Sequence, residues 1–126
     1  MENEKWIMKE NIVMNKSYVF AIRIINLYKF LNANAQIYAL ANQILRSGTS
    51  IGALMKEADH AQSKADFLNK ANVALKEANE THYWLSLLHD TNYIDEKQYI
   101  SLNLDCEELL KLLISIVKTT KESIHK

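Results

Sequence analysis

Proline is absent from this chain of 126 residues, and glycine occurs only twice, at Gly48 and Gly52. Because these two residue types most often interrupt helices and form turns, their scarcity predicts an all-α protein with short connections. The single cysteine, Cys106, has no partner in the chain for a disulfide bond. We therefore expect a reducing, cytoplasmic setting.

Long apolar runs and an excess of either charge are also absent. No run approaches the roughly 18 apolar residues that a membrane span requires. The first ten residues, MENEKWIMKE, have no apolar core of the kind found in a secretory signal, so we expect neither membrane insertion nor export. The 15 Lys and Arg residues balance the 15 Asp and Glu residues. Overall charge therefore favours neither nucleic acid nor a membrane surface as a partner.

Apolar residues recur at helical spacing in four segments of the chain. These segments cover about residues 11–32, about residues 36–60, and two stretches that begin after Ser63 and at Asp95. Four such helices joined by short turns predict an up-and-down antiparallel four-helix bundle. We expect residues 11–126 to form this single domain and residues 1–10 to form a polar extension. The pairs Ser63 with Asp66 and Asp95 with Gln98 are typical of capping boxes at helix starts.

Each predicted helix has one stripe of apolar and small residues that we expect to form the core. The stripes are Phe20, Ile24, Leu27 and Leu31; Ile37, Ala41, Ile44, Gly48, Ile51, Met55 and Ala58; Phe67, Ala71, Ala74, Ala78, Thr81, Leu85 and Leu88; and Leu102, Cys106, Leu109 and Leu113. The opposite side of the first helix also carries Tyr18, Ile22, Ile25 and Tyr28. A helix that is apolar on two sides usually has neighbours on both.

The stretch ILRSGTSIGA, residues 44–53, contains both glycines and could be taken for a phosphate-binding loop. Such a loop normally follows a strand, and the Walker form ends in Lys followed by Ser or Thr. Neither feature is present, and the apolar stripe continues through Gly48 without interruption. We therefore predict that residues 48–52 are helical and that the glycines allow another helix to approach closely. The small residues of the third helix, Ala71, Ala74 and Ala78, are the expected partners.

Two polar stripes lie on the outer sides of the second and third helices. The first contains Arg46, Ser50 and Glu57, and the second contains Glu77, Glu80 and Trp84. They could be solvated faces, or they could form a contact between subunits in which Arg46 pairs with Glu77 or Glu80. We favour the subunit contact, because Trp and Arg are enriched in protein interfaces.

No arrangement of side chains indicates an enzyme. Glu57 with His60 and Glu122 with His125 have the Glu-x-x-His spacing of di-iron bundles, but the first helix has no acid after Glu10 to complete the ligand set. Cys106 lies on a core stripe and is interpreted as a small buried residue. We therefore expect no catalytic residues, no metal and no cofactor.

Charge is uneven along the chain even though the total is zero. The predicted first helix carries Lys16, Arg23 and Lys29 and no acid, and the last helix ends with Lys118 and Lys121 among its bases. In a ring of identical subunits, these cations could form a basic surface that holds phosphates. These five residues are the candidate nucleic-acid contacts.

The segment QILRSGTSIGALMKEADHAQSKADFLNKANVALKEANETHYWLSLLHDTNYI, residues 43–94, closely resembles the four-helix bundle proteins encoded by intervening sequences in bacterial 23S rRNA genes. The resemblance extends through KSYVFAIRIINLY at 16–28 and DCEELLKLLISIVKTTKES at 105–123. The residues that match the family pattern are Arg46, Ser47, Ser50, Gly52, Glu57, Lys76, Glu77, Glu80, Thr81 and Trp84. Leu54 departs from the pattern, because relatives commonly have Asn there.

A more distant resemblance is to the accessory variability determinant of diversity-generating retroelements, a pentameric bundle that binds nucleic acid and a reverse transcriptase. Together the two resemblances imply a non-enzymatic homo-oligomer, with five subunits expected, that acts as an RNA- or single-stranded-DNA-binding accessory protein. The alternative is an oligomeric scaffold that binds a protein partner and makes no contact with nucleic acid.

Overall fold

The protein folds into four antiparallel α-helices. The computed structural model describes the backbone of residues 2–125 and the side chains of residues 9–125. The helices are α1 (Glu2–Asn34), α2 (Tyr38–Asp59), α3 (Lys64–Asp90) and α4 (Glu96–Ile124). Each packs against the next in the chain, and α4 packs against α1. The prediction of an all-α, up-and-down four-helix bundle is confirmed.

Capping side chains define the starts of the last two helices. The hydroxyl of Ser63 accepts a hydrogen bond from the backbone N–H of Asp66 at 3.0 Å. At α4 the capping box is complete: Asp95 accepts from the N–H of Gln98 at 2.7 Å, and the side chain of Gln98 accepts from the N–H of Asp95 at 2.9 Å. Both predicted starts are therefore confirmed. The carboxylate of Asp66 accepts from the N–H of Gln62 instead of Ser63, so the first box is only half formed.

The first helix is longer than the apolar periodicity predicts. It begins at Glu2, whereas the pattern places its start near Asn11. The polar residues before Asn11 include no proline or glycine to stop the helix. Glu10 is also only 7 % exposed, so its side chain packs into the bundle although the residue type suggested solvent.

The core follows the predicted stripes closely. Every residue of the four stripes is buried except Ile37, which precedes α2 and is partly buried against the core. On α1 the stripe extends toward the N-terminus through Val13 and Ser17. The other apolar side of α1 is not covered by the rest of the chain: Tyr18, Ile22 and Ile25 are exposed. Over residues 2–125, none of the helices is long and apolar enough to cross a membrane.

Both glycines lie within α2, which runs unbroken through residues 48–52. A Cβ added to Gly48 would lie 2.8 Å from Cγ1 of Ile24, and one added to Gly52 would lie 3.2 Å from Oγ of Ser17. The glycines therefore allow close approach of α1, and the expected pairing with the alanines of α3 is wrong. Ala78 instead offers its carbonyl oxygen to the thiol of Cys106 on α4. Helical spacing places the small residues on an inner face but does not say which neighbour that face meets.

Candidate functional site

A buried hydroxyl pair joins α2 to α3 beneath their outer surface. The side-chain oxygens of Ser47 and Thr81 are hydrogen-bonded at 2.9 Å, and both side chains are fully buried. Thr81 Oγ1 also lies 2.8 Å from the carbonyl oxygen of Glu77. Because a buried hydroxyl without a partner is costly, this pair favours one axial register between the two helices.

That register aligns the polar stripes of α2 and α3, which meet in what we call the Arg46 cluster: Arg46, Glu77, Glu80 and Trp84. The guanidinium of Arg46 lies 3.0 Å from a carboxylate oxygen of Glu77 and also contacts the carboxylate of Glu80. The indole N–H of Trp84 donates to the same Glu80 oxygen at 3.2 Å. Residues 77, 80 and 84 reach this one place because their spacing puts them on one face of α3.

The Arg46 cluster therefore pairs its charges within one chain. The sequence predicts that Arg46 meets Glu77 or Glu80, and the structure shows that both contacts form without a second subunit. Glu57 is likewise paired inside the chain, with Lys70 at 3.7 Å, and the hydroxyl of Ser50 donates to the backbone carbonyl of Arg46. The role of this surface in subunit contact stays a prediction. Leu54 packs partly against the core, so apolar contact takes the place of any hydrogen bond an Asn would make there.

The predicted nucleic-acid contacts fall into two groups. Lys16 lies 2.5 Å from Glu108, and Arg23 lies 2.6 Å from Asp105 while also donating to Ser101. The hydrogen bond and charge of Glu108 raise the pKa of Lys16. Acids of α4 therefore neutralise the positive charges of these two residues. The sequence does not show these ion pairs, because the partners lie far apart in the chain.

The other three predicted cations are exposed, but they do not share one surface. Lys29 lies near the end of α1, and Lys118 and Lys121 lie near the end of α4. Because α1 and α4 are antiparallel, these positions are at opposite ends of the bundle. Among the described side chains, none of the three contacts a carboxylate within salt-bridge distance.

Two further lysines lie at the end of the bundle where α4 finishes, and sequence reasoning missed them. The ammonium of Lys9 donates to the hydroxyl of Ser115 at 2.9 Å, and that of Lys64 donates to the hydroxyl of Ser123 at 2.7 Å. Serines are neutral, and among the described side chains neither lysine lies within salt-bridge distance of a carboxylate. No sequence signal brings these partners together, because the contacts join the starts of α1 and α3 to the end of α4.

Two ionisable groups are held in unusual states by burial. Burial first, and then hydrogen bonding and repulsion from Asp59, raise the pKa of the Glu10 carboxyl to about 7. Burial raises the pKa of the Cys106 thiol to about 12, which keeps it protonated and unreactive. Among the described side chains, no three His, Cys, Asp or Glu residues come close enough together to hold a metal ion.

A further surface lies on the outer side of α1 and α4. Exposed apolar side chains lie on these outer sides: Tyr18, Val19, Ile22 and Ile25 on α1, and Ile100 and Leu104 on α4. A shallow groove of about 240 Å³ runs between the two helices, lined by Asn15, Lys16, Val19, Asp105 and Glu108. The ion pairs of Lys16 and Arg23 lie along this groove.

The architecture defines the class of this protein as an antiparallel four-helix bundle in which ion pairs cross the outer seams. The family model described as 23S rRNA-intervening sequence protein matches residues 9–115. The chain belongs to this family.

A solved structure supports the assignment. It is a protein of unknown function from the S23 ribosomal protein family of Bacteroides thetaiotaomicron VPI-5482. That protein is 60 % identical to this chain, with a TM-score of 0.85, and the match covers 87 % of this chain and 98 % of the other. No match was found among curated proteins.

Proposed function

We propose that this protein is a non-enzymatic, cytoplasmic homo-oligomer, with five subunits expected, that binds RNA or single-stranded DNA as an accessory protein linked to rRNA intervening sequences. The observation that carries the proposal is the group of lysines around the end of α4. Lys118 and Lys121 are exposed there, and Lys9 and Lys64 contact serine hydroxyls at the same end of the bundle. Cations without carboxylate partners are free to neutralise phosphates.

Symmetric assembly would increase the effect of this small group. One subunit offers only a few uncompensated lysines, which is also common on an ordinary protein surface. A ring repeats the group once per subunit on one rim, so a single nucleic-acid strand can contact several copies at once. The chain belongs to a family named for 23S rRNA intervening sequences, and this supports RNA as the first partner to test.

The test is fluorescence anisotropy with a structured RNA hairpin and a single-stranded DNA oligomer across a salt series. We expect binding that weakens as salt rises. The double variant K118Q/K121Q should reduce the slope of log K against log salt by about 1 to 2 for each subunit that the strand contacts, because each lost phosphate contact lowers it by roughly 0.7 to 0.9. The variant K76Q is the matched control, since Lys76 is an exposed lysine on α3. Absence of salt-dependent binding by the native protein refutes the proposal.

The second candidate is an oligomeric scaffold for a protein partner. The observation that favours it is the pairing of Lys16 with Glu108 and of Arg23 with Asp105, which neutralises two of the five predicted nucleic-acid contacts. Purification from the native host separates the two functions. A scaffold retains its protein partner after nuclease treatment, whereas a nucleic-acid-binding protein loses material that was bound through RNA or DNA.

A further inference from the structure

Glu10 on α1 is the only buried acid among the described side chains, at 7 % exposure. A buried carboxylate is unfavourable unless a base pairs with it, and otherwise the group keeps its proton. Within residues 9–125, no base lies within salt-bridge distance of Glu10. The environment of this side chain therefore favours the protonated, neutral form.

The packing of α1 on α2 places a second acid opposite Glu10. The two glycines of α2 pack against Ile24 and Ser17, which lie seven residues apart on α1. The helices are antiparallel, so a further seven residues along α1 lead to Glu10, and the other direction along α2 leads to its last residue, Asp59. The side chains of Glu10 and Asp59 are hydrogen-bonded. Because ionised carboxylates only accept hydrogen bonds, this contact requires a proton on one of them.

The end of α2 is a poor place for a second negative charge beside Glu10. Asp59 lies in the last turn of α2, where the helix dipole disfavours an anion. The bases that α2 offers there are Lys56, which is exposed, and His60, whose ring nitrogen is 4.0 Å from the Asp59 carboxylate. Neither of them lies within salt-bridge distance of Glu10, so α2 supplies no base that could replace the proton.

The bases of α1 and α4 near this height do not replace the proton either. The ammonium of Lys9, next to Glu10 in the chain, donates to the hydroxyl of Ser115 on α4. Lys111 and Lys118 lie about one turn to either side of Ser115, and both are exposed. Neither forms an ion pair with Glu10 among the described contacts. Helix α3 does not pack on α1.

We propose that Glu10 and Asp59 share one proton and form a pH-sensitive latch that holds the first turns of α1 against the end of α2. With the proton in place, the carboxyl group of Glu10 donates a hydrogen bond to the carboxylate of Asp59. When a base in solution removes the proton, two carboxylates face each other and one of them is buried, so they repel. Lifting the turns before Val13 exposes Glu10 to water and leaves the fully buried stripe, which begins at Val13, in place.

The latch responds to pH in the range near neutrality. Burial first, and then the hydrogen bond and the charge of Asp59, raise the pKa of Glu10 from 4.5 to about 7. In the open form Glu10 is in water and has its ordinary pKa. The closed form is therefore favoured most at low pH, loses this advantage as pH rises from 4.5 to 7, and stays less favoured above pH 7.

Opening of the latch also affects the basic end of the bundle. The contact of Lys9 with Ser115 requires the same turn of α1 to lie on the bundle. Loss of the proton should thus detach one of the lysines that surround the end of α4. This consequence for phosphate binding rests on the proposed function, whereas the latch itself does not.

Native-state hydrogen exchange measured by NMR tests the latch. Protection factors of the amides of residues 6–12, corrected for the effect of pH on intrinsic exchange, should fall by roughly 5- to 30-fold between pH 5 and pH 8. E10Q cannot ionise, and its amide can still donate to Asp59, so protection should stay nearly constant. E122Q is the matched control, because it removes an exposed carboxylate at the same end of the bundle and should show the native fall.

D59N separates the shared proton from burial alone. It removes the repulsion, so the pKa of Glu10 should move toward its ordinary value and the fall in protection should become smaller. The buried amide of Ala74 on α3 reports opening of the whole bundle, and at pH 8 its protection should far exceed that of residues 6–12.

Constant protection of residues 6–12 in the native protein overturns the latch. So does a native fall in E10Q, an undiminished fall in D59N, or protection of residues 6–12 equal to that of Ala74. Because exchange is measured without nucleic acid, failure of the protein to bind RNA or DNA would refute the proposed function and leave the latch unaffected.

Discussion

Replacing Gly48 by alanine tests the closest helix contact in the bundle. The added methyl group would lie 2.8 Å from Cγ1 and 2.9 Å from Cγ2 of Ile24, closer than carbon atoms can pack. Ile24 is fully buried, and its β-branched side chain has few alternative rotamers in a helix. Relief therefore requires either a strained side chain or a small separation of α1 from α2.

The expected magnitude follows from two opposing terms. Alanine is favoured over glycine inside a helix by about 1 kcal/mol. Overpacking a filled core costs roughly 1 to 3 kcal/mol. We therefore expect G48A to lower the free energy of unfolding by about 1 kcal/mol.

G52A is the matched control, because it adds the same methyl group to the same helix but next to a side chain that can move away more easily. The nearest atom is the hydroxyl oxygen of Ser17 at 3.2 Å, and the backbone of that residue is 3.5 Å away. The hydroxyl can rotate, so most of the gain in helix propensity should remain. We expect G52A to be neutral or to stabilise the protein by up to about 1 kcal/mol.

Urea unfolding followed by circular dichroism, at one fixed protein concentration, measures both free energies. The background I24A removes both clashing carbon atoms and leaves a cavity, so G48A should become stabilising there. The reasoning is refuted if G48A is as stable as G52A, or if its cost is the same with and without Ile24.

Other predictions concern single groups. The pKa of Glu10 is raised from 4.5 to about 7 in the folded protein, so between these two pH values the folded state keeps a proton that the unfolded state has lost. The free energy of unfolding should therefore fall as pH rises from 4.5 to 7 and stay lower above pH 7. E10Q should reduce this loss by about 1 to 2 kcal/mol, measured as the difference between urea unfolding at pH 5 and pH 8. T81V should lower the free energy of unfolding in urea by about 1 to 2 kcal/mol, because it removes the hydroxyl that donates to Ser47, and S47A added to it should recover part of this cost. D95A should lower the free energy of unfolding by about 1 kcal/mol by removing the cap of α4; an unchanged urea midpoint would contradict this. R46E should give smaller assemblies with unchanged helicity, and an unaltered mass in light scattering would count against the predicted interface.

The sequence predicts the fold well because each of its signals is local. Helical periodicity, the absence of proline and the capping residues Ser63 and Asp95 act over three or four residues, and the structure confirms what they predict. The start of α1 was misplaced because residues 2–10 lack an apolar period although nothing in them breaks a helix. The burial of Glu10 could not be predicted, since it depends on where the end of α2 lies against α1.

The candidate sites are less predictable, because each contact that forms them joins distant segments. Spacing alone places Glu77, Glu80 and Trp84 on one face of α3, but the position of Arg46 across from them depends on the packing of α2 on α3. Similarly, nothing in the sequence shows that Lys16 and Arg23 would meet acids of α4.

The amino-acid sequence by itself determined the four helices, their inward stripes and the family to which the chain belongs. These depend on the order of residues within short stretches and on conformational preferences that any helix shares. Only the tertiary structure decided which helix the glycines approach, which charges are paired and which apolar side of α1 remains exposed. Those outcomes depend on the rotation and axial register of whole helices against one another, which arise from the packing of all four at once.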